Sequence, residues 1–214
     1  MTGTVRRIKV TRTARYYVLG ERDGAVEVWF VLHGYSQLAG TFAKWFEPAV
    51  KPGRLIVAPE GLSRAYFEES GARRVGASWM TKEDREAEIV DYVGYLDDVA
   101  DEVLGDLPPR PRLEVHGFSQ GAATASRWAA MGRYSPNRLV LWGGTVPPDL
   151  ELERLKRGLA ENPIIIVVGN RDQFVPVAQV ETEQVRLLDA GLHAEIRVFD
   201  GGHRVDERVL GEMA

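Results

Sequence analysis

Apolar positions recur along this chain in two rhythms, and the alternation between them predicts its elements. Two short alternating runs near 4–11 and 15–20 come first and are expected to pair as an antiparallel edge. "VEVWFVLHG" at 26–34 is an apolar run ending in glycine, as a buried strand should. A helix is expected from about 40 to 50. "RLIVAPEG" follows as a strand, stopped by Pro59 and Gly61. Residues 61–82 have no clear period and read as a long irregular connection. From about 83 to 104 the period becomes helical, with Ile89, Val90, Val93, Leu96, Val99, Ala100, Val103 and Leu104 on one stripe. "RLEVHGF" is then a strand, "SQGAATASRWAAMG" a helix, "RLVLWGG" a strand and "LELERLKRGLAE" a helix. "PIIIVVGN" is a continuous apolar strand. "PVAQVETEQVRLLDAG" is a helix with proline at its first turn and Gly191 at its end. "AEIRVFDGGH" is the last strand, and the tail closes as a short helix.

Strands alternating with helices imply parallel βαβ units. Runs such as "IIIVVG" are apolar on both faces, as a sheet covered by helices on both sides requires. The expectation is a single α/β domain over 1–214, a mostly parallel doubly wound sheet with an antiparallel N-terminal edge. Such sheets bind ligands at the carboxyl ends of their strands, so the strand-to-helix loops are where chemistry is expected.

Composition narrows the possibilities further. At 214 residues, 44% hydrophobic and 27% charged, the chain suits one globular domain. A formal net charge of -4 implies no strong attraction to nucleic acid or to an anionic membrane. The absence of cysteine excludes a disulfide scaffold, a thiol nucleophile and thiolate metal sites. No run of 18 or more apolar residues predicts a membrane span. The N-terminal stretch is basic but lacks the apolar core of a secretory signal. A cytoplasmic location is the resulting expectation.

The chemistry is expected at "GFSQG", positions 117–121, which fits the G-x-S-x-G elbow. There a serine sits on a sharp turn between strand and helix, with its hydroxyl pushed into the cleft. Side chains two residues either side would collide, hence Gly117 and Gly121. With 22 glycines in the chain, roughly 0.07 such matches arise by chance. The bare motif is therefore moderate support, and its place between an apolar strand and an amphipathic helix adds the rest. The bland alternative is that Ser119 is an ordinary helix N-cap.

A serine nucleophile needs a base, and the base an orienting acid, in the chain order Ser, Asp or Glu, His. His33 and His116 precede Ser119. His193 lies between a helix end and a strand start, at the opposite edge of the sheet. His203 follows the last strand after "DGG" and has both the right order and the right edge. Asp172, just past the strand "PIIIVVG", is the expected acid, with Asp200 as its rival. Two N–H groups should hold an oxyanion, one from Gln120 and one from Tyr35 in the loop after "FVLHG". His33 is expected to be structural. In the 61–82 connection, Tyr66, Phe67, Trp79 and Met80 either line an acyl pocket or pack the loop onto the body. Trp79, Phe174 and Val175 are the candidate substrate contacts. No metal and no cofactor is called for.

"LHGYSQ", "HGFSQGA", "GNRDQFVP" and "FDGGH" together resemble the phospholipase/carboxylesterase branch of the α/β-hydrolases, which includes acyl-protein thioesterases and small carboxylesterases. The resemblance runs from about position 28 to the end. It implies an α/β-hydrolase fold and a triad of Ser119, Asp172 and His203. It further implies a small-molecule ester as substrate; the charge and the lack of a long apolar run already imply no nucleic acid partner and no membrane span. A carboxylesterase for short- to medium-chain esters is the expected activity. Acyl-protein thioesterase and lysophospholipase are the alternatives, and a non-catalytic binding domain is the remote one. Family members are sometimes dimers, so a homodimer is open. The chain departs from the family pattern at Tyr35, Gln37, Met80 and Thr81, positions that bear on the substrate pockets. Residues 61–82 are the candidate lid or pocket wall.

Overall fold

The computed structural model describes residues 3–69, 72–105, 107 and 111–214. Its strands are β1 (Tyr16–Leu19), β2 (Glu27–Leu32), β3 (Arg54–Pro59), β4 (Ser63–Glu69), β5 (Ala72–Ser78), β6 (Arg112–Phe118), β7 (Arg138–Trp142), β8 (Ile164–Gly169) and β9 (Ala194–Phe199). Its α-helices are α1 (Ala39–Ala43), α2 (Arg85–Leu104), α3 (Gln120–Met131), α4 (Leu152–Leu159), α5 (Val177–Asp189) and α6 (Glu207–Met213), and a 3₁₀ turn covers Lys44–Ala49. Seven strands form one sheet in the order β1-β3-β2-β6-β7-β8-β9, and all neighbours are parallel except β1 against β3. This is the α/β-hydrolase fold, with the antiparallel strand at the N-terminal edge. No helix among the described residues is long and apolar enough to cross a membrane.

Three expectations need correction. Residues 4–11 form no strand, and the antiparallel edge arises from β1 pairing with β3, Tyr16 opposite Pro59. The connection over 61–82 is not irregular: β4 and β5 pair as an antiparallel hairpin, Ser63 opposite Ser78. Val90 faces solvent on α2, whereas Tyr92 lies in the buried stripe. A stripe of period 3.6 through Ile89, Val93 and Leu96 takes in position 92 and leaves position 90 about a quarter turn away.

The strands separate two cores. On one face Leu113 and Val115 of β6 join Trp128 of α3, Leu96 of α2 and Leu155 of α4. On the other, Phe118 of β6 joins Trp29 and Val31 of β2, Trp142 of β7, Phe46 and Leu210. The second face also carries a buried polar row. Arg54 lies over the Trp29 ring at 3.8 Å and bonds Glu27 Oε2 at 2.9 Å. Trp29 stacks on His116 at 4.4 Å, and the Trp142 indole donates to His116 Nδ1 at 3.3 Å. Glu114, fully buried, accepts from Arg138 Nε at 2.7 Å and from Arg112 Nε at 2.9 Å. Arg138 also donates to the Met213 carbonyl at 3.0 Å, which ties α6 to the sheet. Burial alone would raise the Glu114 pKa, but contacts with His116 and Arg138 outweigh it and hold it at about 2.

Glu114→Gln leaves the half-buried Arg138 guanidinium without its counter-charge. It is expected to lower the unfolding free energy by about 3 kcal/mol at neutral pH, measured by urea denaturation. A loss below about 1 kcal/mol would mean that the row is not a stabilising tie between sheet and α6.

Candidate active site

One residue, Ser119, turns the chain from β6 into α3. Its backbone is held at φ 54, ψ -115, a positive-φ conformation that a side-chain-bearing residue adopts at a cost. The Ser119 amide donates to the Trp142 carbonyl at 2.9 Å, fixing the turn against β7. Ser119 occupies the N-cap position of α3, yet its hydroxyl makes no capping bond. The ordinary-cap reading therefore has no hydrogen bond to rest on.

The flanking glycines are required by space. A Cβ on Gly121 would stand 2.1 Å from the Leu32 carbonyl oxygen, and one on Gly117 would stand 2.2 Å from the Gly121 carbonyl oxygen. The first turn of α3 thus rests directly on the end of β2. Its leading amides have no partner within the helix, and the helix end carries partial positive charge.

Asp172 lies in the loop after β8 with its carboxyl buried. Oδ1 accepts the Phe174 amide at 2.8 Å and the Val175 amide at 3.0 Å, while Oδ2 faces His203 Nδ1 at 2.8 Å. Burial would raise this carboxyl. The bonds from His203 and the two amides outweigh burial and hold its pKa below the ordinary aspartate value. A charged Asp172 makes Nδ1 of His203 the protonated nitrogen and leaves Nε2 to accept a proton. The His203 ring lies between Phe118 at 4.7 Å and Phe174 at 4.8 Å, centroid to centroid. The rival acid, Asp200, is on the surface and pairs with Arg171.

The turn after β7 joins these parts and was not singled out from sequence. A Cβ on Gly143 would stand 2.9 Å from His203 Cε1 and 3.3 Å from Asp172 Oδ2. One on Gly144 would stand 3.1 Å from the Ser119 carbonyl oxygen. Gly143 also has φ 53. Ser119 and the Asp172–His203 pair therefore sit on either side of a turn that must lack side chains. The signal was the "WGG" that ends an apolar strand.

The hairpin closes the other flank. Gly34 donates its amide to the Gln37 side chain at 2.8 Å. Ser36 and Gln37 then bond to Ala77 of β5, at 2.9 Å and 3.1 Å. Gly76 permits this approach, since a Cβ there would stand 2.2 Å from the Ser36 carbonyl oxygen. The Gln120 side chain accepts the Trp79 amide at 3.1 Å and donates to the Met80 carbonyl at 2.9 Å. The loop bearing Tyr35 and the start of α3 are thereby fastened to the same hairpin. The Tyr35 ring is exposed and meets Phe67 edge-on at 5.2 Å.

Among the expected substrate contacts, Phe174 alone presents an exposed ring beside His203. Trp79 is 2% exposed, stacks on His33 and donates its indole N–H to the His33 carbonyl at 2.8 Å. It packs the loop onto the body, which leaves its ring no face for a substrate. The Val175 side chain packs toward the core, and its amide serves Asp172. His33 is structural: Nε2 accepts the Gly61 amide at 2.9 Å and Nδ1 faces the Gly34 carbonyl at 2.8 Å. His193 is exposed, and its carbonyl accepts the Ile164 amide at the start of β8.

The family model for phospholipase/carboxylesterase matches residues 18–214. The chain belongs to this family. Its structure is similar to that of Zea mays acyl-protein thioesterase 2, at 17% identity and TM-score 0.70, covering 94% of this chain and 96% of that one. It is similar to esterase PE8 at 23% identity and TM-score 0.67, with the same coverage of both chains. The Bacillus cereus carboxylesterase matches at 17% identity and TM-score 0.66, over 94% of this chain and 91% of that one. The sequence matches no curated protein. The family and these neighbours are of esterase and thioesterase type.

Burial pushes His33 down to about 4. The folded protein then refuses a proton that the unfolded chain accepts below about 6.5, so its contribution is intact above that pH and is lost as pH falls toward 4. The loss amounts to about 3 kcal/mol. Urea midpoints between pH 7 and pH 4 should show this decline, and His33→Gln should make it shallower, with buried His116 still contributing. An equally steep decline in that variant would remove His33 as its source.

Proposed function

We propose that this chain is a serine carboxylesterase acting on short- to medium-chain esters through an acyl-enzyme on Ser119. The observation that carries the reading is the Asp172–His203 bond, 2.8 Å long, beside a glycine turn that also backs Ser119. In the first step the Ser119 hydroxyl attacks the ester carbonyl while His203 Nε2 takes its proton. The carbonyl electrons move to oxygen, held by the amides of Tyr35 and Gln120. His203 returns the proton to the departing alcohol. Water then attacks the acyl-enzyme, with His203 as base, and frees the acid and Ser119.

Asp172 stays ionised throughout, because its carboxylate is already satisfied by two amides. It holds His203 in the productive tautomer and offsets the imidazolium charge. The Tyr35–Phe67 pair and the Phe174 ring stand by the Tyr35 loop and His203 respectively. Bulky rings at these points support a confined acyl site, hence shorter chains over long lipid tails.

Hydrolysis of a p-nitrophenyl ester series from acetate to palmitate tests the proposal, with a sulfonyl fluoride as the covalent probe. Turnover should peak at short or medium chains and be abolished by the probe. Ser119→Ala should lower kcat by at least about 10³-fold with an unchanged circular dichroism spectrum. Asp172→Asn should lower it by about 10³- to 10⁴-fold through loss of the tautomer. A peak at palmitate, or faster turnover of an acyl thioester than of its ester, would shift the substrate to a lipid or acyl-protein. Full activity in Ser119→Ala would sink the mechanism.

A further inference from the structure

Residues 3–15 stand apart from the rest of the molecule in charge. Arg6, Arg7, Lys9, Arg12 and Arg15 fall here with no acidic residue, so the remaining 22 basic residues face all 31 acidic ones, a balance of -9. The net charge of the whole chain conceals this separation. The segment also lies outside the residues that the family model matches, which begin at position 18.

The segment is extended and pinned at two points. Arg7 pairs with Asp84 at the start of α2, Nε to Oδ2 at 2.8 Å. Arg15 pairs with buried Glu60 at 2.7 Å, and the Arg15 carbonyl accepts the Glu60 amide and the Tyr95 hydroxyl. Glu60 follows the carboxyl end of β3, and α2 follows the Met80 loop that Gln120 holds. Both anchors therefore lie at the end of the sheet that carries Ser119. Between and beyond them, Val5, Ile8 and Val10 are 77%, 88% and 79% exposed. Among the described residues, Arg6, Lys9 and Arg12 have neither a hydrogen-bond nor an ion-pair partner.

We propose that residues 3–15 form an arm that docks this end of the sheet onto an anionic lipid bilayer. Interleaved cations and aliphatic side chains suit the boundary between headgroups and acyl chains. Phosphates and carboxylates of anionic lipids meet Arg6, Lys9 and Arg12, while Val5, Ile8 and Val10 enter the apolar layer. A nucleic acid would offer the same phosphates but no place for three exposed aliphatic side chains, and the described arm has no aromatic ring on which bases stack. The anchored arginines keep the arm in place and leave the other three free to bind.

The test is co-sedimentation of the full chain with phosphatidylcholine/phosphatidylglycerol vesicles, against phosphatidylcholine alone. Binding to the anionic vesicles is expected at about 50 mM salt, falling steeply by about 500 mM. R6S/K9S/R12S should weaken it at least tenfold, at roughly fivefold per charge. Its turnover of soluble esters should match the parent chain, since none of the three touches the site. I8S/V10S should bind several-fold more weakly while keeping the salt dependence. Ser119→Ala should bind like the parent chain, so loss of the esterase reading would not remove this one. Absence of binding at low salt, or wild-type binding by R6S/K9S/R12S, would overturn the proposal. Unchanged binding by I8S/V10S, with equal capture of a DNA duplex, would overturn it in favour of nucleic acid.

Discussion

The backbone of α3 rests on the backbone of β2, and the candidate site depends on that contact. At Gly121 the two backbone segments are so close that a single Cβ would lie 2.1 Å from the Leu32 carbonyl oxygen. Nothing larger than hydrogen fits. The approach brings the helix start to the carboxyl end of the sheet, and Ser119 must bridge strand and helix with no intervening residue. Its positive φ is the consequence. The strain is held by the Ser119 amide on the Trp142 carbonyl and by Ala122 bonding back to the Ser119 carbonyl. Further contacts follow outward from this point. The Gly143–Gly144 turn fits against Ser119 because β7 runs beside β6, and the same turn receives His203 from beyond β9.

The rigidity of such a site comes from two layers with different chemistry. Above the strands, the β4–β5 hairpin bonds to the loop after β2 through Ala77 and to α3 through the Gln120 side chain. Both segments that would supply oxyanion amides are thus set by one element, and their spacing does not depend on flexible loops alone. Below, the row from Arg54 through Trp29 and His116 to Glu114 crosses β3, β2 and β6. A buried charge row is a weak source of net stability but a strong constraint on register, because a slipped strand would leave a charge unpaired. Tying α6 to Arg138 adds the C-terminal end to the same frame.

The sequence disclosed most where one physical demand dominates. Long apolar runs such as "IIIVVG" and the helical stripe of α2 announced their elements, with errors of a residue or two at the ends. "GFSQG" announced the elbow, because its glycines answer a steric demand local to five residues. The expected order of Asp172 and His203 rests on topology. The hairpin was not legible. Its strands show no clear alternation, and its seat against the loop after β2 depends on Gly76 meeting Ser36, a contact forty residues apart in the chain. Trp79 illustrates the same limit. An aromatic residue near a cleft looks alike in sequence whether it faces substrate or core, and only the His33 carbonyl that receives its indole decides the matter. Position 4–11 failed for the opposite reason, since an alternating run without a partner strand remains extended chain.

Among the described residues two histidines face carboxylates, and they differ in what the base proposed above would need. His116 lies 3.4 Å from Glu114, as His203 lies 2.8 Å from Asp172. Yet Glu114 is already committed to Arg138 and Arg112, and His116 Nδ1 receives the Trp142 indole. Trp29 stacks on His116, and Phe46 meets it edge-to-face. Burial lowers its pKa, and no edge of it reaches solvent or Ser119's cleft. Asp172 is instead satisfied by two amides of its own loop, which carry no charge to compete for the imidazole. His203 keeps one nitrogen on that carboxylate, while its Nε2 has no hydrogen-bond partner among the described residues. A neighbouring carboxylate is therefore not enough to make a base. The ring must also retain an uncommitted nitrogen at an open edge, and here the loop between β9 and α6 is the place that allows it.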